Sequence, residues 1–162
     1  MSIVVDIQTV SIAIASASVV VGIVYYALQL RNQTKMRHTD LAMRISSWWT
    51  TEETLKQWLR TMGLEFKDFE DFTKKYGNIL SEKPEQIAII ITMDHFDAVG
   101  YLLHRNMIDY GLVRLMPIVA TWEKVKPVVE GLRKRQSGQY RRPYMIWFEY
   151  LNNEVKKREQ RQ

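Results

Sequence analysis

The chain has 162 residues, a formal net charge of +5 and no cysteine, so its sequence excludes disulfides, thiolate metal sites and a cysteine nucleophile. The positive charge lies in the C-terminal part. Residues 1–113 hold 11 basic and 13 acidic side chains, whereas residues 114–162 hold 12 and 5.

The first predicted element is an apolar run from Val10 to Leu30, which carries no charged residue across 21 positions. At about 1.5 Å per helical residue, this length matches a hydrocarbon core roughly 30 Å thick, so we predict one transmembrane helix. A cleaved signal peptide is the alternative, but it needs a positive N-terminal region and a core of roughly 7–15 residues. Here only Asp6 is charged before the run. The remaining residues, about 130, suffice for one domain with a hydrophobic core.

The charges that flank this run predict its orientation. Membrane proteins carry an excess of Lys and Arg on the cytoplasmic side. The C-terminal flank supplies four basic residues against Asp40, and the N-terminal flank supplies none; the four are Arg31, Lys35, Arg37 and Arg44. We therefore expect a single-pass protein of the cell (inner) membrane, with its N-terminus outside and its C-terminal domain in the cytoplasm.

One face of the predicted membrane helix collects small residues at spacings of four, three and four: Ser11, Ala15, Ser18 and Gly22. Small residues let two helices approach closely in lipid, so this face is a candidate contact with a membrane-protein partner or a second copy. The alternative is that Ser, Ala and Gly are simply common in membrane spans.

After the run, nothing breaks the helix before Ser47, so residues 1–47 are predicted to form an anchor and a stalk, and residues 48–162 a cytoplasmic helical domain. Thr50 and Glu53 have the spacing of a capping box at a new helix start, and Gly63 offers its end. An aromatic stripe comes next at helical spacing and is typical of a core face; it consists of Phe66, Phe69, Phe72 and Tyr76.

The most apolar later segment is Ile87 to Arg105, which Ser81 and Pro84 are predicted to open. A second membrane span is the competing interpretation, but charged residues interrupt the apolar part after about ten positions, so we expect a buried central helix. Three further breaks divide the rest of the chain. Asp109 is predicted to cap a helix that is kinked or split at Pro117 and restarts at Pro127. A polar loop at 136–142 follows, and Pro143 is predicted to start the last helix. The sequence thus predicts an all-α protein whose cytoplasmic bundle has five or six helices.

A set of landmarks along this part resembles a known family. They are FDAVGYLL at Phe96 to Leu103, IDYGLV at Ile108 to Val113, then Trp122, Pro127 and Arg133, behind one N-terminal span. In this order they resemble an uncharacterised prokaryotic family of membrane-anchored, all-helical proteins grouped under a domain of unknown function. The resemblance implies the architecture, and it implies no activity, cofactor or catalytic residue.

Two constellations could carry chemistry. Asp94, Asp97 and His104 share a helix face and could offer two carboxylates and an imidazole to a divalent metal, although their spacing matches no helical metal motif such as HExxH. The alternative is that they pair with Arg105 or Arg114. The second constellation is a basic surface with aromatic neighbours: Lys124, Lys126, Arg133, Lys134, Arg135, Arg141 and Arg142. It suits anionic lipid, and less well nucleic acid, unless it is only a solvated face.

No Walker loop, GxSxG or GxGxxG motif occurs, and the sequence indicates no cofactor. We therefore expect binding rather than catalysis, by an accessory subunit or scaffold of a membrane complex. The bilayer is its first partner. The alternatives are a metal-dependent enzyme or effector that uses Asp94, Asp97 and His104, and a lipid- or nucleic-acid-binding protein that uses the basic region.

Overall fold

A computed structural model describes residues 6–78, 82–135 and 143–161, and in these ranges the protein is all-helical. Seven helices are described: α1 (Ile7–Trp49), α2 (Glu52–Gly63), α3 (Phe69–Tyr76), α4 (Pro84–His104), α5 (Tyr110–Val113), α6 (Ile118–Arg135) and α7 (Ile146–Glu159). The predicted class is confirmed: a long apolar N-terminal helix precedes a bundle of six helices.

The chain divides into two units, Met1–Asp40 and Leu41–Gln162. In the first unit every described residue is exposed. In the second unit the end of α1 belongs to the bundle, because Ile45 is buried and Leu41 and Trp49 pack against the core. The boundary after residue 47 stays a prediction, and the packing groups residues 41–47 with the bundle.

Helix α4 is the centre of the bundle, and it packs mainly against α7 and α2. Met93 and Phe96 are fully buried in it, as the apolar sequence predicts. Gly100 permits the contact with α7, because a Cβ atom there would lie 2.0 Å from the Trp147 carbonyl oxygen. Two described helices, α1 and α4, are long and apolar enough to cross a membrane. None of the most apolar 18-residue stretch of α1 is buried, whereas 44% of the corresponding stretch of α4 is buried, so α4 has the burial of a core helix.

Buried polar groups join the other helices. Trp58 on α2 donates its indole N–H to the Thr121 hydroxyl of α6 at 3.0 Å, and Thr121 donates in turn to the Pro117 carbonyl at 2.7 Å. One turn further along α2, the Thr61 hydroxyl lies 3.1 Å from the Thr92 hydroxyl of α4, and both residues are buried. In these pairs the buried hydroxyls have hydrogen-bond partners, which is the usual condition for polar groups inside a core.

Several predicted helix boundaries were wrong. The cap of α2 is Thr51, which accepts from the Thr54 N–H, and Thr50 instead continues the bonding of α1. Pro127 lies inside the continuous helix α6 rather than at a restart, although the split at Pro117 is confirmed. The last helix begins at Ile146, three residues after Pro143. Asp109 caps α5 as predicted. Ser81 and the loop at 136–142 lie outside the described residues.

Candidate functional site

The start of α7 is built without a capping side chain of its own. Its N-cap residue is Met145, in the left-handed conformation at φ 56°, and methionine has no oxygen to accept from the first free N–H groups. Asp97 on α4 takes that role. Its Oδ1 accepts from the N–H groups of Trp147 and Phe148, both at 2.9 Å. A carboxylate at a helix N-terminus is also favoured by the helix dipole.

The protonation of Asp97 reflects two opposing influences. Burial raises the pKa of Asp97, and the hydrogen bonds from Phe148 and Trp147, with the Arg133 guanidinium, offset only part of that effect. The pKa of Asp94 is raised as well, by partial desolvation of its exposed side chain against the domain surface and by the nearby charge of Asp97. The two carboxylates therefore lie close enough to repel each other at the edge of the domain.

Arg133, which the sequence places in the basic surface, fastens the segment before α7. Its Nε donates to the Tyr144 carbonyl at 2.7 Å, its Nη2 to the Met145 carbonyl at 3.3 Å, and its Nη1 to the Glu149 carboxylate at 2.8 Å. All three side-chain nitrogens are thus used within the domain. Burial, with the charges of Asp94 and Asp97, raises the pKa of Tyr144, so this phenol stays protonated.

The three predicted metal ligands have different surroundings. Asp97 and His104 both contact α7: the His104 ring lies 4.5 Å from the Trp147 ring and 5.2 Å from the Tyr150 ring. Asp94 is exposed one turn earlier on α4. In residues 6–78, 82–135 and 143–161, no group of three His, Asp or Glu side chains has the arrangement of a metal site. Asp97 and His104 thus face α7, whereas Asp94 is exposed.

His95 on α4 packs against the end of α1. The His95 ring stacks on Trp48 with centroids 3.6 Å apart, and Trp49 and Phe96 lie at 5.8 and 5.4 Å. Its Nε2 is buried without a hydrogen-bond partner. Burial lowers the pKa of His95 to about 4, so the ring is neutral at pH 7. The adjacent Trp48 and Trp49 were the signal in the sequence, because two tryptophans at a helix end indicate a packed aromatic contact.

The remaining basic residues are dispersed. The Lys124 ammonium donates to the Leu64 carbonyl and lies 5.2 Å from the Phe66 ring. Lys126 is 3.9 Å from Glu130. Arg135 lies over the Phe69 ring at 4.4 Å. With Lys134, it lines an open groove of about 630 Å³ between α3 and α6 that also has acidic residues, namely Asp68, Glu70 and Glu130. Arg141 and Arg142 lie outside the described residues.

The small residues of α1 remain exposed, as a membrane-facing contact would require. The Ser11 and Ser18 hydroxyls donate to carbonyls of the preceding turn, those of Ile7 and Ile14, at 2.9 and 2.8 Å. A Cβ atom at Gly22 would meet no atom within 4 Å. This face is therefore formed by small side chains whose hydroxyls are hydrogen-bonded within the helix.

Comparison with models of protein families places the chain in one family. The model of the family described as Domain of unknown function (DUF4760) matches residues 12–155, nearly the whole chain, and the protein belongs to that family. No curated protein and no solved structure matches the chain. The resemblance noted from the sequence is confirmed at the level of an uncharacterised family, and that family carries no stated activity.

Proposed function

We propose that this protein is a single-pass, membrane-anchored helical interaction protein, an accessory subunit or scaffold of a membrane complex. One observation carries the proposal: the best apolar window of α1 is 0% buried, although its mean hydropathy is 2.1. An uncovered apolar helix of this length is costly in water and stable in a bilayer. The helix is therefore the part of the molecule that needs an environment other than its own chain.

The flanking charges support the orientation. Arg31, Lys35 and Arg37 follow the apolar run within two turns, and the segment before it has only Asp6. Basic residues on one side favour retention of that side in the cytoplasm. We assign the protein to the inner membrane with the bundle inside. Tyr25 and Tyr26 lie at the same end of the run, where aromatic rings favour the headgroup region.

The contacts within the bundle support binding over catalysis. Oδ1 of Asp97 and the three side-chain nitrogens of Arg133 bind α7 and the segment before it. The enzyme alternative depends on Asp97, and this use of its carboxylate gives that alternative no support. The lipid or nucleic-acid alternative would have to rest on Lys126, Lys134 and Arg135 with Arg141 and Arg142, since Arg133 and Lys124 already bind backbone carbonyls.

The test is extraction of the full-length protein from bacterial membranes. We expect the chain to stay in the pellet after washes with high salt and with alkaline carbonate, because the apolar run holds it in the bilayer. A control variant, Val20→Arg, places a charge near the centre of the run at a cost of about 2.5–3.5 kcal/mol and should release part of the protein. Release of the unmodified chain by carbonate would refute the anchor.

Native electrophoresis in mild detergent, followed by elemental analysis, then tests binding against catalysis. We expect the chain to migrate in a complex larger than its own 19.2 kDa and to contain no stoichiometric metal. Stoichiometric metal that disappears in Asp97→Asn would favour the enzyme alternative instead. Migration as a 19.2 kDa monomer would contradict the role of subunit or scaffold.

A further inference from the structure

The small residues of α1 are the beginning of a longer pattern. Continuing their spacing gives nine positions separated alternately by four and three residues, which we call the seam: Ser11, Ala15, Ser18, Gly22, Tyr25, Gln29, Asn32, Met36 and Thr39. Alternating steps of four and three are the a and d positions of a heptad repeat, which favours left-handed packing of two helices. All nine residues are exposed in the first unit. At about 1.5 Å per residue the seam is roughly 42 Å long.

The composition of the seam differs from that of the other faces of α1. Residues 10–30 contain ten Val, Ile and Leu residues, and none of them lies on the seam. In lipid, bulky aliphatic side chains are satisfied by acyl chains, whereas close helix contacts need small side chains, and Gln or Asn can form hydrogen bonds between helices. The seam also carries two side-chain amides, those of Gln29 and Asn32. Small residues in the apolar run and amides at its end therefore favour a helix as the occupant, rather than lipid.

The surface around the amides has the form that such packing uses. A hollow of about 450 Å³ is lined by Tyr25, Leu28, Gln29, Asn32, Gln33 and Met36. These are successive a and d residues with one neighbour on each flank, and a hole of this type receives a side chain from a facing helix in a coiled coil. The residues that line this hollow are all exposed on the surface of α1.

Charge complementarity identifies the occupant as a second copy. Lys35 directly precedes a seam residue and Asp40 directly follows one, which are the g and e positions of the heptad. In two parallel helices in register, a g residue meets the e residue five positions further along the other helix. Lys35 of one copy would therefore meet Asp40 of the other, and the two-fold axis repeats the pair. Two copies with the same flanking charges also insert in the same direction, so their helices are parallel.

We infer that α1 forms a parallel, in-register homodimer along the seam, continuous from the apolar run into the charged segment up to Thr39. The inference deepens the proposed function and rests on its membrane anchor. A bundle attached to each helix would then be presented twice. The accessory or scaffolding role would therefore be that of a bivalent protein, whose two copies bind two identical sites.

The chain offers a direct test because it contains no cysteine. We would place single cysteines on the seam, as Met36→Cys and Thr39→Cys, and off it, as Thr34→Cys and Arg37→Cys. Each is oxidised with copper phenanthroline in intact membranes. A disulfide needs Cα atoms roughly 4.4–6.8 Å apart, which equivalent seam positions of a parallel pair approach and outward positions do not. We expect a disulfide-linked dimer at least fivefold more abundant at the two seam positions.

A second pair of variants tests the close contact in the membrane. In the Thr39→Cys background, Gly22→Ile should reduce the dimer severalfold, because it adds bulk where only another helix could collide. Val20→Ile lies on a different face and should leave the dimer unchanged. Equal crosslinking at Thr34, Met36, Arg37 and Thr39 would overturn the inference, and so would a crosslinked band that is not twice 19.2 kDa.

The failure of the two proposals can be told apart. If carbonate leaves the chain in the membrane but no seam cysteine crosslinks, the homodimer is wrong and the anchor stands. If carbonate extracts the chain, the anchor itself is wrong, and the homodimer in the membrane is wrong with it.

Discussion

Removal of the carboxylate of Asp97 should detach the start of α7 from α4. Oδ1 accepts two N–H groups at 2.9 Å, and Met145 cannot replace it because its side chain has no oxygen. Loss of a capping side chain costs about 0.5–2 kcal/mol, and hydrogen bonds to a charged group contribute about 1.5–3 kcal/mol. For this partly buried group we expect Asp97→Ala to lower the free energy of unfolding by about 2–3 kcal/mol.

The corresponding shift in melting temperature is set by the size of the bundle. For roughly 120 residues from Leu41 to Gln162, an unfolding entropy of about 2.1 cal/mol/K per residue makes 1 kcal/mol worth about 4 °C. Asp97→Ala should therefore melt about 8–12 °C below the parent, measured by circular dichroism on the full chain in detergent. Asp97→Asn keeps an acceptor oxygen and loses only the charge near the helix dipole, about 0.3–1 kcal/mol, so it should fall by about 1–4 °C.

The matched control is Asp94→Ala, one turn earlier on the same helix. Asp94 is exposed and accepts neither α7 hydrogen bond, so its removal should change stability by less than about 0.5 kcal/mol. An unchanged melting temperature in Asp97→Ala would refute the capping role, and equal losses in Asn and Ala would show that the charge acts rather than the acceptor. A melting temperature that EDTA lowers in the parent, but not in Asp97→Asn, would point to a metal site.

Three further outcomes are expected. The pKa of His95 is about 4 in the folded state and 6.5 in the unfolded state, so the unfolded state binds a proton first as the pH falls. The free energy of unfolding, measured by urea titration, should therefore fall by up to about 3 kcal/mol between pH 6.5 and pH 4. An equal fall in the His95→Phe variant would contradict this. Gly100→Ala should cost about 2–3 kcal/mol, because its Cβ would meet backbone atoms of α7, while Gly63→Ala, with nothing within 4 Å, should be neutral; equal melting temperatures would refute the close contact. A reporter fused after Gln162 should be cytoplasmic, and protease protection of it in inside-out vesicles would reverse the topology.

The helices were largely predictable because local patterns specify them. The apolar run, the aromatic stripe and the apolar segment of α4 each have a helical period or length that needs no knowledge of neighbours. Asp109 was recognised as a cap because its partner, the Gly111 N–H, is two residues away. The predicted caps and starts failed by one to three residues at Thr50 and Pro143. Adjacent residues there have similar local preferences, and hydrogen bonding within the folded chain decides between them.

The candidate site was less predictable, because its hydrogen bonds form between residues that are far apart in the sequence. The Lys, Arg, Asp and His residues of the two constellations could be recognised, but their partners are distant in sequence: Asp97 binds N–H groups about 50 residues away, and Arg133 binds carbonyls 11 and 12 residues away. No periodicity encodes such pairs. A carboxylate that could bind a metal and one that caps a distant helix therefore look alike in the sequence.

The sequence by itself determined the helical class, the apolar run with its basic flank, and the heptad spacing of α1, because these depend on residues within a few turns of one another. Only the tertiary structure decided that Asp97 and Arg133 hold α7, and that the His95 ring packs against Trp48 and Phe96. Burial and hydrogen-bond pairing are properties of the packed chain. The same polar side chain can be a ligand, a cap or a solvated charge until its neighbours are in place.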